Sequence, residues 1–157
     1  MGITNNTIQN ALVELLEQPL SQFTALYVPT AIYAYPNGSN LTWRTLRRHG
    51  ELGWKEFGIL ELTALPSVPK NLWLQTIEAV DAIILGGGNN FYLSYWLQQS
   101  GLFEMLPALL EKGLVYVGWS AGSMIASHSF HFDRERFEKT NIYYDDEYEE
   151  EAPPKCR

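Results

Sequence analysis

A serine set between two glycines is the part of this sequence best suited to chemistry. The segment 118–122, Gly-Trp-Ser-Ala-Gly, follows the apolar run 114–117 and precedes the helix-forming residues 124–126. A strand, Gly-x-Ser-x-Gly and a helix in this order predict a nucleophile elbow, a sharp turn that lifts the Ser120 hydroxyl clear of the sheet. The amide that follows, that of Ala121, then points to where an oxyanion would form. The alternative is a glycine-rich turn whose serine only caps the next helix.

A second glycine-rich turn, Gly-Gly-Gly-Asn at 86–89, ends the strand before the elbow strand. It is not a Walker loop, because no Gly-Lys-Ser/Thr follows, and Phe91 stands where the third glycine of a dinucleotide fingerprint belongs. Consecutive glycines leave backbone amides uncovered, and such amides can form an oxyanion hole. Adjacent parallel strands would place this turn beside Ser120. A tight turn without chemistry is the alternative.

Composition excludes several classes of protein. The 157 residues are 46% hydrophobic and 18% charged, which favours one globular domain, and the net charge of -7 argues against nucleic acid or an anionic membrane as partner. Cys156 is the only cysteine, so neither a disulfide framework nor a cysteine-based metal site is expected. No apolar run approaches the ~20 residues of a membrane helix. With no signal peptide visible, we expect a cytoplasmic location.

Strand and helix patterns alternate along the chain. Such alternation predicts an α/β fold with a mostly parallel sheet and helices on both faces. An amphipathic helix from Ile8 to Leu16 comes first, and a loop is predicted at 30–42. The predicted strands are 23–28, 57–62, 81–85 and 114–118, and the further predicted helices are 41–53, 71–80, 91–100 and 103–112.

Both ends of the chain depart from a regular parallel sheet. The chain opens on a helix with no strand before it, and it ends soon after the elbow helix in a segment rich in Asp, Glu and Tyr. We therefore expect residues 1–133 to form a single α/β domain without the first and last strands usual in such sheets. Residues 134–157 are expected to form an acidic, solvated tail.

Together the two glycine-containing motifs resemble a known family. Ile-Leu-Gly-Gly-Gly-Asn-Asn-Phe at 84–91 and Val-Gly-Trp-Ser-Ala-Gly-Ser at 117–123 are similar to those of peptidase family S51, which contains dipeptidase E and, more distantly, cyanophycinase. The resemblance implies a class I glutamine amidotransferase-like fold, which is a flavodoxin-like three-layer arrangement. It also implies cleavage after an N-terminal aspartate, without a metal or other cofactor. Ser120 would be the nucleophile, and the amides of Gly88, Ala121 and Gly87 would form the oxyanion hole.

A serine nucleophile needs a base to take its proton. In the family this histidine lies well downstream, in an Asn-Pro-His-like segment that this sequence does not contain. The histidines here are His49, far upstream, and His128 and His131, eight and eleven residues after Ser120. Eight helical residues span about 12 Å, which disfavours His128; His131 would reach the serine if the helix ended early. Glu135 lies at the offset of the family's acidic triad member.

Other functions stay open beside a serine peptidase that acts on small peptides. The chain would be an inactive, truncated family member if no base is supplied, or a module that binds a peptide without cleaving it. Glutamine hydrolysis is disfavoured, because class I amidotransferases carry cysteine at the elbow. An acidic substrate would need a cation, for which Arg44, Arg47 and Arg48 are available. These arginines cluster with His49 on a predicted helix, and a solvated helix face is the favoured interpretation of the cluster, with anion binding as the alternative. The sequence predicts no particular oligomeric state.

Overall fold

Four parallel strands organise residues 5–127, the part of the chain that the computed structural model describes. The strands are β1 (Thr24–Val28), β2 (Glu56–Ile59), β3 (Ala82–Leu85) and β4 (Val115–Gly118), in the spatial order β2-β1-β3-β4. The helices are α1 (Asn6–Leu16), α2 (Gly38–Gly50), α3 (Lys70–Glu78), α4 (Asn90–Gln99), α5 (Leu102–Glu111) and α6 (Ala121–Ile125). Short 3₁₀ helices occupy 20–22, 30–34 and 62–67.

Side-chain alternation along the strands divides the core into two layers. On one face Leu26, Val28, Ile83 and Leu85 pack with the buried leucines of α4 and α5 and with apolar residues of α3. On the other face, Ala25, Tyr27, Ala82 and Ile84 pack with residues of α1 and α2 and with Trp54. All four residues of β3 are buried, as expected for a central strand covered on both faces. The predicted α/β class, with helices on both faces of a parallel sheet, is confirmed.

The strand register brings the loops of the two glycine-containing motifs to one edge of the sheet. Val28 pairs with Leu85, and Leu85 pairs with Gly118, so β1, β3 and β4 end at the same level. The segments that follow these three strands are therefore neighbours. In an open parallel sheet this carboxyl edge is where ligands bind.

The predicted loop at 30–42 is wrong in its second half, where α2 begins at Gly38. A Cβ on Gly38 would lie 2.3 Å from the carbonyl oxygen of Ile32, so only glycine permits this close approach to the 3₁₀ segment 30–34. The Thr42 hydroxyl then donates to the Gly38 carbonyl at 2.8 Å. The residues Pro-Asn-Gly-Ser at 36–39 are typical of a turn, and here they form the start of a helix because of this packing.

Residues as far as Ala126 form one compact unit. The predicted boundary between residues 133 and 134, and the acidic tail beyond it, lie outside the described residues and stay predictions. None of the helices between residues 5 and 127 is long and apolar enough to span a membrane.

Candidate active site

Ser120 has the strained backbone of an elbow. It adopts φ 52° and ψ −117°, and Glu17 is the other residue with a side chain and a positive φ in the described part of the chain. Such a conformation costs about 1–3 kcal/mol and persists only where the surroundings hold it. The serine is exposed and stands at the N-cap position of α6, yet its side chain makes no capping hydrogen bond. The capping alternative therefore does not explain this residue.

Backbone contacts hold the elbow against the end of β3. The Gly122 amide donates to the Gly86 carbonyl at 3.2 Å, and the Trp119 amide donates to the Leu85 carbonyl at 3.3 Å. A Cβ on Gly122 would lie 2.3 Å from the Leu85 carbonyl oxygen, so a side chain at this position would push the elbow off the strand. The second glycine of Gly-x-Ser-x-Gly is thus required by the close approach of two backbones.

Tyr116 fixes the first turn of α6 from within β4. Its phenol donates a 2.6 Å hydrogen bond to the carbonyl of Gly122. Burial raises the pKa of the Tyr116 phenol to about 12, so the group keeps its proton at neutral pH and remains a donor. The Ser123 hydroxyl donates to the Ser120 carbonyl at 2.8 Å. The carbonyls of Ser120 and Gly122 therefore both accept from side-chain donors.

The glycine turn at 86–89 lies beside the elbow, as the sequence predicts. A Cβ placed on Gly87 would be 3.1 Å from the Cβ of Ser120. Gly88 has a φ of +143°, and a Cβ there would lie 2.3 Å from the carbonyl carbon and oxygen of Ala31. The Asn89 amide donates to that same Ala31 carbonyl at 2.8 Å. The segment 30–34 therefore fixes the turn on one side, and Ser120 lies on the other.

Three backbone amides around Ser120 have no hydrogen-bond acceptor within the described residues. The amides of Gly86 and Asn89 are both bonded, whereas those of Gly87 and Gly88 donate no hydrogen bond there. Ala121 is the first residue of α6, so its amide has no partner within the helix. Uncovered amides beside a serine hydroxyl are the groups that can stabilise an oxyanion.

The segment 30–34 is itself held by a buried polar contact. The Thr30 hydroxyl, with no exposed surface, donates to the Glu61 carboxylate at 3.0 Å and accepts from the Leu62 amide at 3.2 Å. Glu61 also accepts from the Thr63 amide at 3.1 Å. This contact ties the loop after β1 to the loop after β2, and through Ala31 it supports the backbone at Gly88.

His49 lies next to the elbow, which the sequence interpretation missed. Its ring stacks on Trp119 with 5.0 Å between centroids and 6° between planes, and it is 2% exposed. The expectation that His49 belongs with a solvated arginine cluster is wrong, because its side chain faces the core while Arg44, Arg47 and Arg48 are exposed. The spacing of Thr42, Leu46 and His49 along α2 is the helical signal that would have placed it inward.

The imidazole of His49 is neutral and bound on one side only. Nδ1 lies 2.7 Å from the Thr45 carbonyl oxygen, which can only accept, so Nδ1 carries the proton. Nε2 is buried without a partner among the described residues. Burial lowers the pKa of His49 below its ordinary value of 6.5, and the nearby Arg48 lowers it further, against the hydrogen bond to Thr45. His49 is therefore not hydrogen-bonded to Ser120.

The remaining predicted site residues lie outside the described residues. These are His131 and Glu135, and the disfavoured His128 lies there too. His49 is the only histidine between residues 5 and 127. Within that range no group of three or more His, Cys, Asp or Glu side chains is arranged to hold a metal ion. The described part of the site thus consists of a serine and uncovered amides.

Fold and site together define an α/β protein with an exposed, strained serine at the carboxyl edge of a parallel sheet. The sequence model of peptidase family S51 matches residues 1–145. The chain belongs to peptidase family S51. The family resemblance of the two motifs is thereby confirmed.

The relatives and the solved structure agree with this assignment. The chain is 28% identical over 119 residues to peptidase E of Shigella flexneri serotype 5b (strain 8401) and to peptidase E of Escherichia coli O6:K15:H31 (strain 536 / UPEC). These matches cover 76% of this chain and 48% of each relative, so the chain spans about half of their length. A crystal structure from Listeria monocytogenes EGD-e, provisionally assigned as a peptidase E, shares the fold. The two structures superpose with a TM-score of 0.53 at 22% sequence identity. The match covers 73% of this chain and 54% of the Listeria chain.

Removing the Tyr116 hydroxyl should loosen the elbow. Tyr116→Phe deletes the donor to the Gly122 carbonyl, and we expect the free energy of unfolding to fall by about 1 kcal/mol, the net value of one hydrogen bond. Urea unfolding measures this change. Tyr95→Phe is the matched control, since Tyr95 is 54% exposed and should lose nothing. Equal losses in both variants would contradict the assigned role of the phenol.

His49 should make stability depend on pH in a defined window. Its folded-state pKa is depressed, so its contribution is complete above the ordinary value of 6.5 and is lost as pH falls towards the folded-state value. In that window the unfolded chain binds a proton that the folded chain does not. We expect His49→Phe, which cannot titrate, to gain stability over the wild type as pH falls.

Urea unfolding of both proteins between about pH 8 and about pH 5 measures this difference. The carboxylates titrate equally in the two proteins, so the comparison isolates His49. Stability curves that run parallel through the window would show that His49 titrates normally.

Proposed function

We propose that this chain acts as a serine-type peptidase on small peptides, with Ser120 as the nucleophile. The proposal rests on one observation. An exposed, strained serine lies beside backbone amides that have no hydrogen-bond acceptor among the described residues. A strained turn that exposes a hydroxyl is costly, and a nucleophile is the residue type that benefits from it. Membership of a family of peptidases supports the same reaction class.

The proposed reaction follows from these groups. The Ser120 oxygen attacks the scissile carbonyl carbon and loses its proton to a base, and the carbonyl oxygen becomes an oxyanion. The amides of Gly88 and Ala121 donate to that oxyanion, with Gly87 beside them. Collapse of the tetrahedral intermediate breaks the C–N bond, and the amine leaves with a proton from the base. Water then hydrolyses the acyl-enzyme by the same steps.

The base of this mechanism is assigned only from the sequence. His131 is one candidate within this chain, and Glu135 lies at the offset of the family's acidic residue. His49 is a poor candidate, because its Nε2, the nitrogen free to accept a proton, is buried and makes no hydrogen bond to Ser120. Its ring lies instead against Trp119. The matched region covers 48% of each relative, so the relatives also contain residues outside it, among which a base can be sought.

A preference for Asp-X dipeptides rests on the family resemblance alone. The loops that follow the four strands contain no lysine or arginine, which an aspartate side chain would need; they are 29–37, 60–69, 86–89 and 119–120. Arg47 pairs instead with Glu51 at 3.8 Å on the exposed side of α2. We therefore propose small peptides as the substrate class and Asp-X as the first substrates to try. The proposed location is the cytoplasm.

A binding module without turnover is the second candidate. It is favoured by the lack of a histidine hydrogen-bonded to Ser120 among the described residues. Such a protein would bind a dipeptide at the same edge and leave it intact. Calorimetry with analysis of the products separates binding from cleavage.

An activated serine can be detected directly. A fluorophosphonate probe should add once to the wild-type chain and not to Ser120→Ala, since only an activated hydroxyl displaces the leaving group from phosphorus. Intact mass spectrometry of the folded proteins reads the adduct. Ser21→Ala is the matched control, because Ser21 is also an exposed serine but precedes β1, away from the carboxyl edge of the sheet, and should not affect the adduct.

Hydrolysis is then followed with Asp-Leu and Ala-Leu dipeptides, by release of free leucine. Loss of both labelling and turnover in Ser120→Ala would support the peptidase. A folded wild-type chain that neither labels nor cleaves would refute it for this polypeptide and leave the binding module. Labelling retained in Ser120→Ala would identify a different nucleophile.

A further inference from the structure

His49 is buried against Trp119, the residue before Ser120, so its side chain can affect the geometry of the elbow from within the core. Its ring is parallel within 6° to that of Trp119, whose chain position immediately precedes Ser120. Tyr27 completes a cluster of three parallel rings, at 5.7 Å from both His49 and Trp119. The Phe57 ring is parallel within 9° to that of His49, with 6.5 Å between the centroids. The four residues come from β1, α2, β2 and the elbow.

The same rings contact the glycine turn. A Cβ on Gly87 would lie 3.2 Å from Nε1 of Trp119, and one on Gly86 would lie 2.6 Å from the Tyr27 hydroxyl oxygen. Trp119 therefore has His49 against its face and Gly87 at its edge. Any shift of the indole would change the gap between Gly87 and Ser120, which the proposed oxyanion hole spans.

The imidazole is not the side chain that would give this core its greatest stability. Its Nε2 is buried in an apolar cluster without a partner among the described residues, and an unpaired buried acceptor is unfavourable. Leucine or phenylalanine would fill the same space without that cost. Histidine and phenylalanine both present a flat ring to Trp119, whereas leucine does not.

We propose that His49 is a positioning residue that acts through Trp119. Its ring holds the indole flat, and the indole in turn sets the separation between Ser120 and the turn at Gly87. The kinetic part of this inference rests on the peptidase function proposed above. The structural part does not, because it concerns the geometry of the elbow alone.

The test compares a variant without a ring with one that keeps it. In His49→Leu we expect the second-order rate constant for fluorophosphonate labelling to fall about tenfold, since a displacement of about 1 Å can cost on the order of a hundredfold. In His49→Phe, labelling at neutral pH should stay at the wild-type rate. The thermal midpoint of His49→Leu should equal or exceed that of the wild type, so a loss of stability would not explain slower labelling.

Leu12→Ala is the control for a loss of stability without a change at His49. Leu12 is buried in the same core layer, on α1, and its truncation should lower the thermal midpoint. Per folded molecule, this variant should label at the wild-type rate. Labelling that follows the thermal midpoint across the four proteins, or a wild-type rate in His49→Leu, would overturn the proposal.

Hydrogen exchange separates failure of this inference from failure of the proposed function. The amides of Trp119 and Gly122 bond to β3 and to the glycine turn, so their exchange reports the seating of the elbow. They should exchange several-fold faster in His49→Leu and at the wild-type rate in His49→Phe. If the wild type is not labelled but this exchange pattern holds, the peptidase fails and the positioning role stands. Unchanged exchange in His49→Leu refutes the positioning role in either case.

Discussion

The site depends on the approach of two backbones, the elbow after β4 and the end of β3. Gly122 lies so close to the Leu85 carbonyl that no side chain fits, and its amide reaches the Gly86 carbonyl. These contacts, with the Tyr116 phenol on the Gly122 carbonyl, hold Ser120 in a conformation that it would not adopt alone. The exposed hydroxyl follows from tight packing beneath it, so the geometry of the proposed nucleophile and the packing of the core cannot be separated here.

The same constraint explains the arrangement of the rest of the edge. Parallel register ends β1, β3 and β4 at one level, and each loop then supports the next. Thr30 and Glu61 hold the segment 30–34, and Ala31 accepts from Asn89 and leaves room only for glycine at Gly88. The Gly87 and Gly88 amides of the proposed oxyanion hole have no acceptor among the described residues, and the nearby Val28 and Ala31 carbonyls accept instead from Gly86 and Asn89.

Most of the fold and half of the candidate site could be predicted from the sequence. Apolar periodicity is a local signal, and it placed the four strands, the main helices and both glycine-containing turns. The start of α2 at Gly38 and the inward position of His49 were missed, because both depend on contacts distant in sequence, with Ile32 and with Trp119. The roles of Ser120, Gly87, Gly88 and Ala121 stay predictions, as do those of His131 and Glu135.

The strained elbow also bears on when a reactive serine can exist during folding. Besides the nearby Tyr116, the partners that hold Ser120 in its conformation belong to β3 and the glycine turn, which are far from it in sequence. Loop closure between them must therefore precede it, and no local segment can form the elbow in advance. A partly folded or locally opened chain would carry an ordinary serine of low nucleophilicity. The reactivity proposed for Ser120 would thereby be confined to the fully assembled sheet, and misfolded copies of the chain would present no activated hydroxyl to other proteins.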